Sequence, residues 1–167
     1  KLFIQNIAMF ERFERIEQRL SIYDDNFNKL FDAIESKELK PKQGIFYEGQ
    51  IFDAYAFVSE LIKSAKKSII LIDNYVDETV LTMLSKNQEV QISIYTKTIS
   101  KQFKLDLEKY NSQYTTLTLK EFDLSHDRFL LIDDEIYHIG ASLKDLGNKI
   151  FAFSKISIDC KDILKKL

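Results

Sequence analysis

A single cysteine, Cys160, excludes a disulfide within the chain, and no stretch is apolar for long enough to read as a signal peptide or a membrane span. Those absences point to a reducing, soluble compartment, the cytoplasm. Cys160 itself reads as a packed small residue rather than a reactive thiol. A surplus of positive charge is missing too: 24 Lys and Arg against 26 Asp and Glu leave a formal net charge of −2, which supplies no global attraction to nucleic acid. Any such binding has to use local patches. Three lysine clusters are candidates, Lys37 with Lys40 and Lys42, Lys63 with Lys66 and Lys67, and Lys161 with Lys165 and Lys166, though each reads first as a solvated helix face or helix end. The two histidines and the scattered carboxylates show no close ligand spacing of the metalloenzyme kind, so neither a metal nor another cofactor is expected.

What is present suffices for one globular domain and an appendage: 167 residues, 45% hydrophobic and 30% charged. A chain starting at Lys1 rather than Met reads as a piece of a longer protein, with a partner-reading domain expected upstream. In the first segment apolar residues recur at alternating steps of three and four. That heptad seam puts Asn6, Phe13, Leu20, Phe27 and Ile34 at the a positions and Leu2, Met9, Ile16, Tyr23 and Leu30 at d. In this register Arg12 and Arg19 fall at g, and Glu17 and Asp24 at e, giving opposite-sign pairs across a parallel two-stranded coiled coil. Phe3, Phe10 and Phe31 at e widen the apolar face and suggest packing on a further surface. The alternative is a long helix folded back on its own domain. We expect a coiled-coil dimerisation helix over 1–40, ended near Lys40-Pro41, and a globular domain over 44–167.

After a boundary placed at Gly44 to Gly49, strands and helices alternate, which predicts an α/β domain with helices on both faces of a mixed sheet. The expected helices cover Phe52 to Lys67, Glu78 to Leu84, Gln102 to Tyr110 and Cys160 to Leu167. The expected strands are Ser68 to Asp73, Gln91 to Thr96, Leu117 to Phe122, a hairpin turning at Asp133-Asp134-Glu135, and Ile150 to Ser157. Ser142, with Asp145 three residues on and Gly147 beyond, has the spacing of a helix-capping serine.

The stretch with most chemistry is His126-Asp127-Arg128-Phe129-Leu130-Leu131-Ile132-Asp133, followed by Gly140-Ala141-Ser142. Residues two apart on an extended strand share a face, so His126 and Arg128 would point the same way, toward one oxyanion. By itself His126 reads as a solvent-facing or hydrogen-bonded structural residue, and His138, Asp127 and Asp134 also read as structural.

The spacing of histidine, cation, aspartate and glycine resembles the signature of the phospholipase D superfamily, which has Lys where this chain has Arg128 and Gly-Ser-x-Asn where it has Gly140-Ala141-Ser142-Leu143. The order of elements over about Gly44 to Ile158 also looks like one half-domain of that family. Taken with the N-terminal arm, the sequence Gly-Ala-Ser-Leu-Lys-Asp-Leu-Gly at 140–147 is similar to the C-terminal part of phage-associated bacterial DNA-binding proteins of the KilA-N and Bro groups. This resemblance implies a phospholipase D-like domain of a DNA-associated protein, binding nucleic-acid phosphodiesters, DNA ahead of RNA, as a homodimer. Hydrolysis would proceed without metal through a phosphohistidine. In that scheme His126 of one chain attacks phosphorus, His126 of the other protonates the leaving oxygen, Arg128 neutralises the non-bridging oxygens, Asp133 supports the cation or orients the imidazole, and Ser142 donates a hydrogen bond. The other implied reading is a non-catalytic dimerisation and DNA-backbone-binding module, favoured by Arg128 and by the absent Asn. A lipid phosphodiesterase ranks third, since no basic amphipathic helix with exposed aromatics would bring it to a membrane.

Overall fold

The computed structural model describes residues 2–36, 41–115 and 117–167, and within the first helix the side chains of residues 6–7 and 9–29. Lys37, Lys40 and the side chains of Leu2, Phe3, Leu30, Phe31 and Ile34 lie outside the described residues. The chain divides into two compact units, Lys1–Pro41 and Lys42–Leu167.

The described residues of the first unit include one helix, α1, Leu2–Ser36, whose 35 residues span roughly 52 Å at 1.5 Å per residue. Every described residue of the expected seam is exposed, from Met9 at 55% and Phe13 at 59% to Leu20 at 55% and Phe27 at 58%. Phe10, beside the seam, is 73% exposed. Arg19, expected to reach across to another chain, meets the Tyr23 hydroxyl of its own helix at 3.4 Å.

The second unit is built on a seven-stranded sheet. Its strands are β1 (Gln43–Phe46), β2 (Ser68–Ile72), β3 (Gln91–Thr96), β4 (Leu117–Glu121), β5 (Arg128–Ile132), β6 (Glu135–Ile139) and β7 (Phe151–Ile156). Its helices are α2 (Ile51–Ser64), α3 (Glu78–Leu84), α4 (Lys101–Gln113) and α5 (Cys160–Leu164). The spatial order is β1-β7-β6-β5-β2-β3-β4. Strands β2, β3 and β4 are parallel, because α3 and α4 carry the chain back between them; β5, β6, β7 and β1 add on antiparallel. The sheet is therefore mixed, with helices on both faces, as the alternation of periods predicts.

The two faces are unequal. Alternate residues of the central strands, Ile69 and Leu71, Ile92 and Ile94, Leu130 and Ile132, pack under Val58, Leu61 and Ile62 of α2 and the apolar sides of α3 and α4. The opposite set, Ile72, Tyr95, Leu131 and Ile136, is covered by Cys160, Ile163 and Leu167 at the C-terminus. Burial on both sides explains the unbroken Ile-Ile-Leu-Ile of β2. Each fully buried Leu or Ile here stabilises the fold by roughly 1.5–3 kcal/mol. Cys160 is a buried core residue, and burial pushes its thiol up, away from thiolate chemistry.

Helix starts are locally encoded: Asp77 accepts from the Thr79 amide at 3.0 Å, and Ser100 from the Phe103 amide at 3.0 Å. The segment expected to be a boundary is instead edge strand β1, paired with β7 from Gln43↔Ser154 to Phe46↔Phe151. Its anchor is Phe46, whose ring lies 5.3–5.6 Å from those of Phe57, Phe151 and Phe153.

Candidate functional site

At one end of the sheet the last residue of β2's run meets the start of β5 and the end of β6. Ile72 pairs with Phe129 in register, so the next residues outward, Asp73 and Arg128, are neighbours. Asp73 is completely buried. Its Oδ1 accepts from the Tyr75 amide at 3.0 Å and lies 4.0 Å from Arg128 Nε. Its Oδ2 accepts from the Leu143 amide at 2.9 Å and from the Ser142 hydroxyl at 2.8 Å. Ser142 Oγ is also 2.7 Å from the Tyr75 carbonyl, and its single proton serves one acceptor at a time. Burial raises the Asp73 carboxyl above the usual range; the Leu143 and Tyr75 amides, Ser142 and the Arg128 charge oppose it without cancelling it.

Around this carboxylate opens a pocket of about 560 Å³ whose lining includes Tyr75, Arg128, Gly140, Ser142, Lys144 and Lys149. Gly140 is required by close approach: a Cβ there would stand 2.8 Å from the Ala152 carbonyl oxygen, which accepts the Gly140 amide. Arg128 is 28% exposed, and its Cζ lies 5.9 Å from the Tyr75 ring centroid. The lining therefore carries Arg128, Lys144 and Lys149 against one carboxylate, Asp145, a net basic set with a guanidinium suited to phosphate.

The expected site residues separate. Arg128 and Ser142 come together on Asp73 and line the pocket. Ser142 does precede a 3-10 turn, Leu143–Asp145, but its hydroxyl makes no helix cap because it is engaged with Asp73. His126 is not on the strand: β5 begins at Arg128, and His126 sits exposed in the bend before it, outside the pocket lining. The alternation expected to align it with Arg128 therefore does not operate. The bend is tied down by Asn74, whose amide donates to the Ser125 carbonyl at 2.8 Å, and by Ser125, whose hydroxyl donates to the Asp127 carbonyl at 2.7 Å.

Asp133 is not brought to Arg128. It lies past the far end of β5, roughly 16 Å along the strand, in the β5–β6 turn with φ 54°. There its carboxylate accepts from the amides of Lys66, Lys67 and Ser68 at 2.7–3.1 Å, clamping the α2–β2 connection. Burial works against its ionisation, but those three amides and the Lys67 charge outweigh burial and hold the carboxyl below the usual range. His138 Nε2 is 3.7 Å from Asp127 Oδ1, beside the Phe129 ring. Lys63 and Lys67 pair with Glu60 and Asp134, and Lys165 with Asp162, so these clusters are partly neutralised.

Tyr75, Lys144 and Lys149 in the pocket lining, and the buried Asp73 that Ser142 and Arg128 meet, are not revealed by spacing alone. A signal for Asp73 existed: an acidic residue directly after a fully apolar strand has no water to meet and must find a partner inside.

No protein-family model matches the chain, and no curated protein is significantly similar to it. Among the described residues no helix is long and apolar enough to cross a membrane. Solved structures do match. The archaeal chromatin protein TrmBL2, whose structure shows a novel mode of DNA binding, superposes with a TM-score of 0.50 at 15% identity, over 95% of this chain. This chain spans 63% of that one. NucT from Helicobacter pylori superposes with a TM-score of 0.52 at 13% identity, over 75% of this chain and 90% of its own. At such identities the likeness establishes the fold alone, and that fold, an α/β mixed sheet preceded by a long helix, is consistent with the phospholipase D-like arrangement.

Proposed function

We propose that the second unit binds nucleic-acid phosphodiesters, DNA ahead of RNA, at the Arg128 pocket, and that the chain does so as a homodimer joined through α1. The observation that carries this reading is the convergence of Arg128, Lys144, Lys149 and the Gly140–Ser142 turn on one open pocket. A formal net charge of −2 leaves local convergence as the source of attraction. The fold shared with TrmBL2, a chromatin protein, supports a DNA partner. Arg128 grips non-bridging oxygens, and Asp73 fixes the turn that carries Ser142. Arg128→Ala should weaken DNA binding and lower the slope of log affinity against log salt by about 1. An unchanged affinity and slope would remove the pocket from DNA binding.

Hydrolysis through His126 is the second reading, favoured by one observation. His126 is solvent-exposed two residues ahead of Arg128, in the bend that leads into β5. His126→Ala separates the readings: loss of cleavage of single- and double-stranded DNA with binding retained supports a phosphohistidine enzyme, whereas no difference from the parent in either measurement leaves a binding module.

A further inference from the structure

Tyr75 is held in an unusual place for an aromatic ring. Its amide donates to Asp73 Oδ1 at 3.0 Å and its carbonyl lies 2.7 Å from Ser142 Oγ, so the buried carboxylate network fixes its backbone on both sides. Tyr75 is 56% exposed and forms part of the pocket wall. Core packing does not account for it. The Arg128 guanidinium lies 5.9 Å from the ring centroid. Two further apolar side chains stand out at the same sheet end. Ile150, also in the pocket wall, is 61% exposed, and Leu124, next to the Ser125 carbonyl that Asn74 holds, is 82% exposed.

From this juxtaposition of an open aromatic ring and a phosphate-holding cation we infer that the pocket takes single-stranded nucleic acid, with a base stacked on Tyr75 while the adjoining phosphate sits at Arg128, Lys144 and Lys149. The inference rests on the phosphate-binding reading and narrows its substrate. A duplex keeps its bases stacked on one another and presents only backbone, so it would meet the cations and leave Tyr75 unused. An unpaired strand offers both groups side by side. A volume of about 560 Å³ is in the range of pockets that enclose ligands of nucleotide size rather than of a surface that lies along a duplex. Every base has a π face, so stacking on Tyr75 carries little sequence preference; the net basic lining supplies the salt-dependent part.

The test compares three probes on the full chain: a short single-stranded DNA, a duplex of the same length, and a single strand of the same length made wholly of abasic sites, which keeps the phosphates and removes the bases. Tyr75→Ala should weaken binding of the single strand by roughly five- to a hundred-fold and leave the other two unchanged, while Tyr75→Phe retains parental affinity for all three. Tyr75 is exposed, so the substitution should leave the thermal transition in place; should it fall, Tyr75→Leu keeps apolar bulk without a π face and is expected to show the same selective loss. Arg128→Ala should weaken all three probes. If Arg128→Ala weakens them while Tyr75→Ala and Tyr75→Leu change none, base stacking is overturned and phosphate binding stands. If Arg128→Ala changes none, or if no probe binds the parent, both fall.

Discussion

Asp73 Oδ1 and Arg128 Nε face one another at 4.0 Å, the aspartate wholly buried and the arginine 28% exposed. The register brings them together: Ile72 pairs with Phe129, so the residue after β2 meets the first residue of β5. A buried carboxylate with four polar neighbours holds together three segments that are far apart in sequence, and a half-buried guanidinium extends that order to the pocket lining.

Asp73→Asn should destabilise the second unit by about 1–3 kcal/mol. The amide is the same size, but one acceptor oxygen becomes a donor that faces the Leu143 or Tyr75 amide, leaving a buried N–H without a partner. Phosphate binding should weaken as well, because the turn bearing Ser142 and the Arg128 side chain both lose their common support. Chemical denaturation and DNA titration of the same preparation check the two effects. Parental stability in the variant would show that the Asp73 contacts contribute nothing net.

The pH dependence of stability should have opposite signs at Asp73 and Asp133. Asp133 is held below its unfolded value, so its stabilisation is present above about pH 3.9 and is lost as pH falls through the lower folded value. Asp73 is raised, so its protonated form favours the fold below about pH 3.9, and that contribution is lost as pH rises through the higher folded value. The deficit of Asp133→Asn against the parent should therefore shrink toward acid, whereas the deficit of Asp73→Asn should shrink toward neutral pH. Denaturation midpoints of both variants across pH 3–7 decide it, and parallel profiles would contradict the two environments described.

These two aspartates also show where the sequence is legible. Helix α3 and strand β3 fall at the expected residues, Glu78–Leu84 and Gln91–Thr96, because a local cap and a bounded apolar run specify them. The residues expected at a phosphate site are placed by partners far along the chain. Ser142 has a helix-capping spacing, yet Asp73, 69 positions away, claims its hydroxyl. Asp133 matches a motif position, yet its carboxylate is used 65–67 positions away at Lys66 to Ser68. Local pattern cannot price such long-range bonds. Strand β1 was illegible for a related reason: four residues carry little periodicity, and its partner β7 lies near the other end of the chain.

Met9, Phe13, Ile16, Leu20, Tyr23 and Phe27 are each 46–59% exposed, so about half of the roughly 1.5–3 kcal/mol available from burying each large apolar side chain is still to be gained. A second copy in parallel register offers identical side chains along the same seam and places Arg12 near Glu17 and Arg19 near Asp24 of the other helix. For Arg19 this requires leaving Tyr23, a contact of 3.4 Å on an exposed surface that is readily exchanged. A parallel pair would bring both second units to the same end, raising the effective concentration of any contact between them. Deleting residues 1–38 should therefore weaken dimerisation, together with any activity that needs two His126 side chains. Asn6→Leu should tighten the arm and loosen its restriction to two chains, since a single seam Asn fixes register at a cost in stability. Sedimentation of the truncated chain is the measurement: a dimer as tight as the parent's would assign the interface to the second unit and leave α1 for another partner.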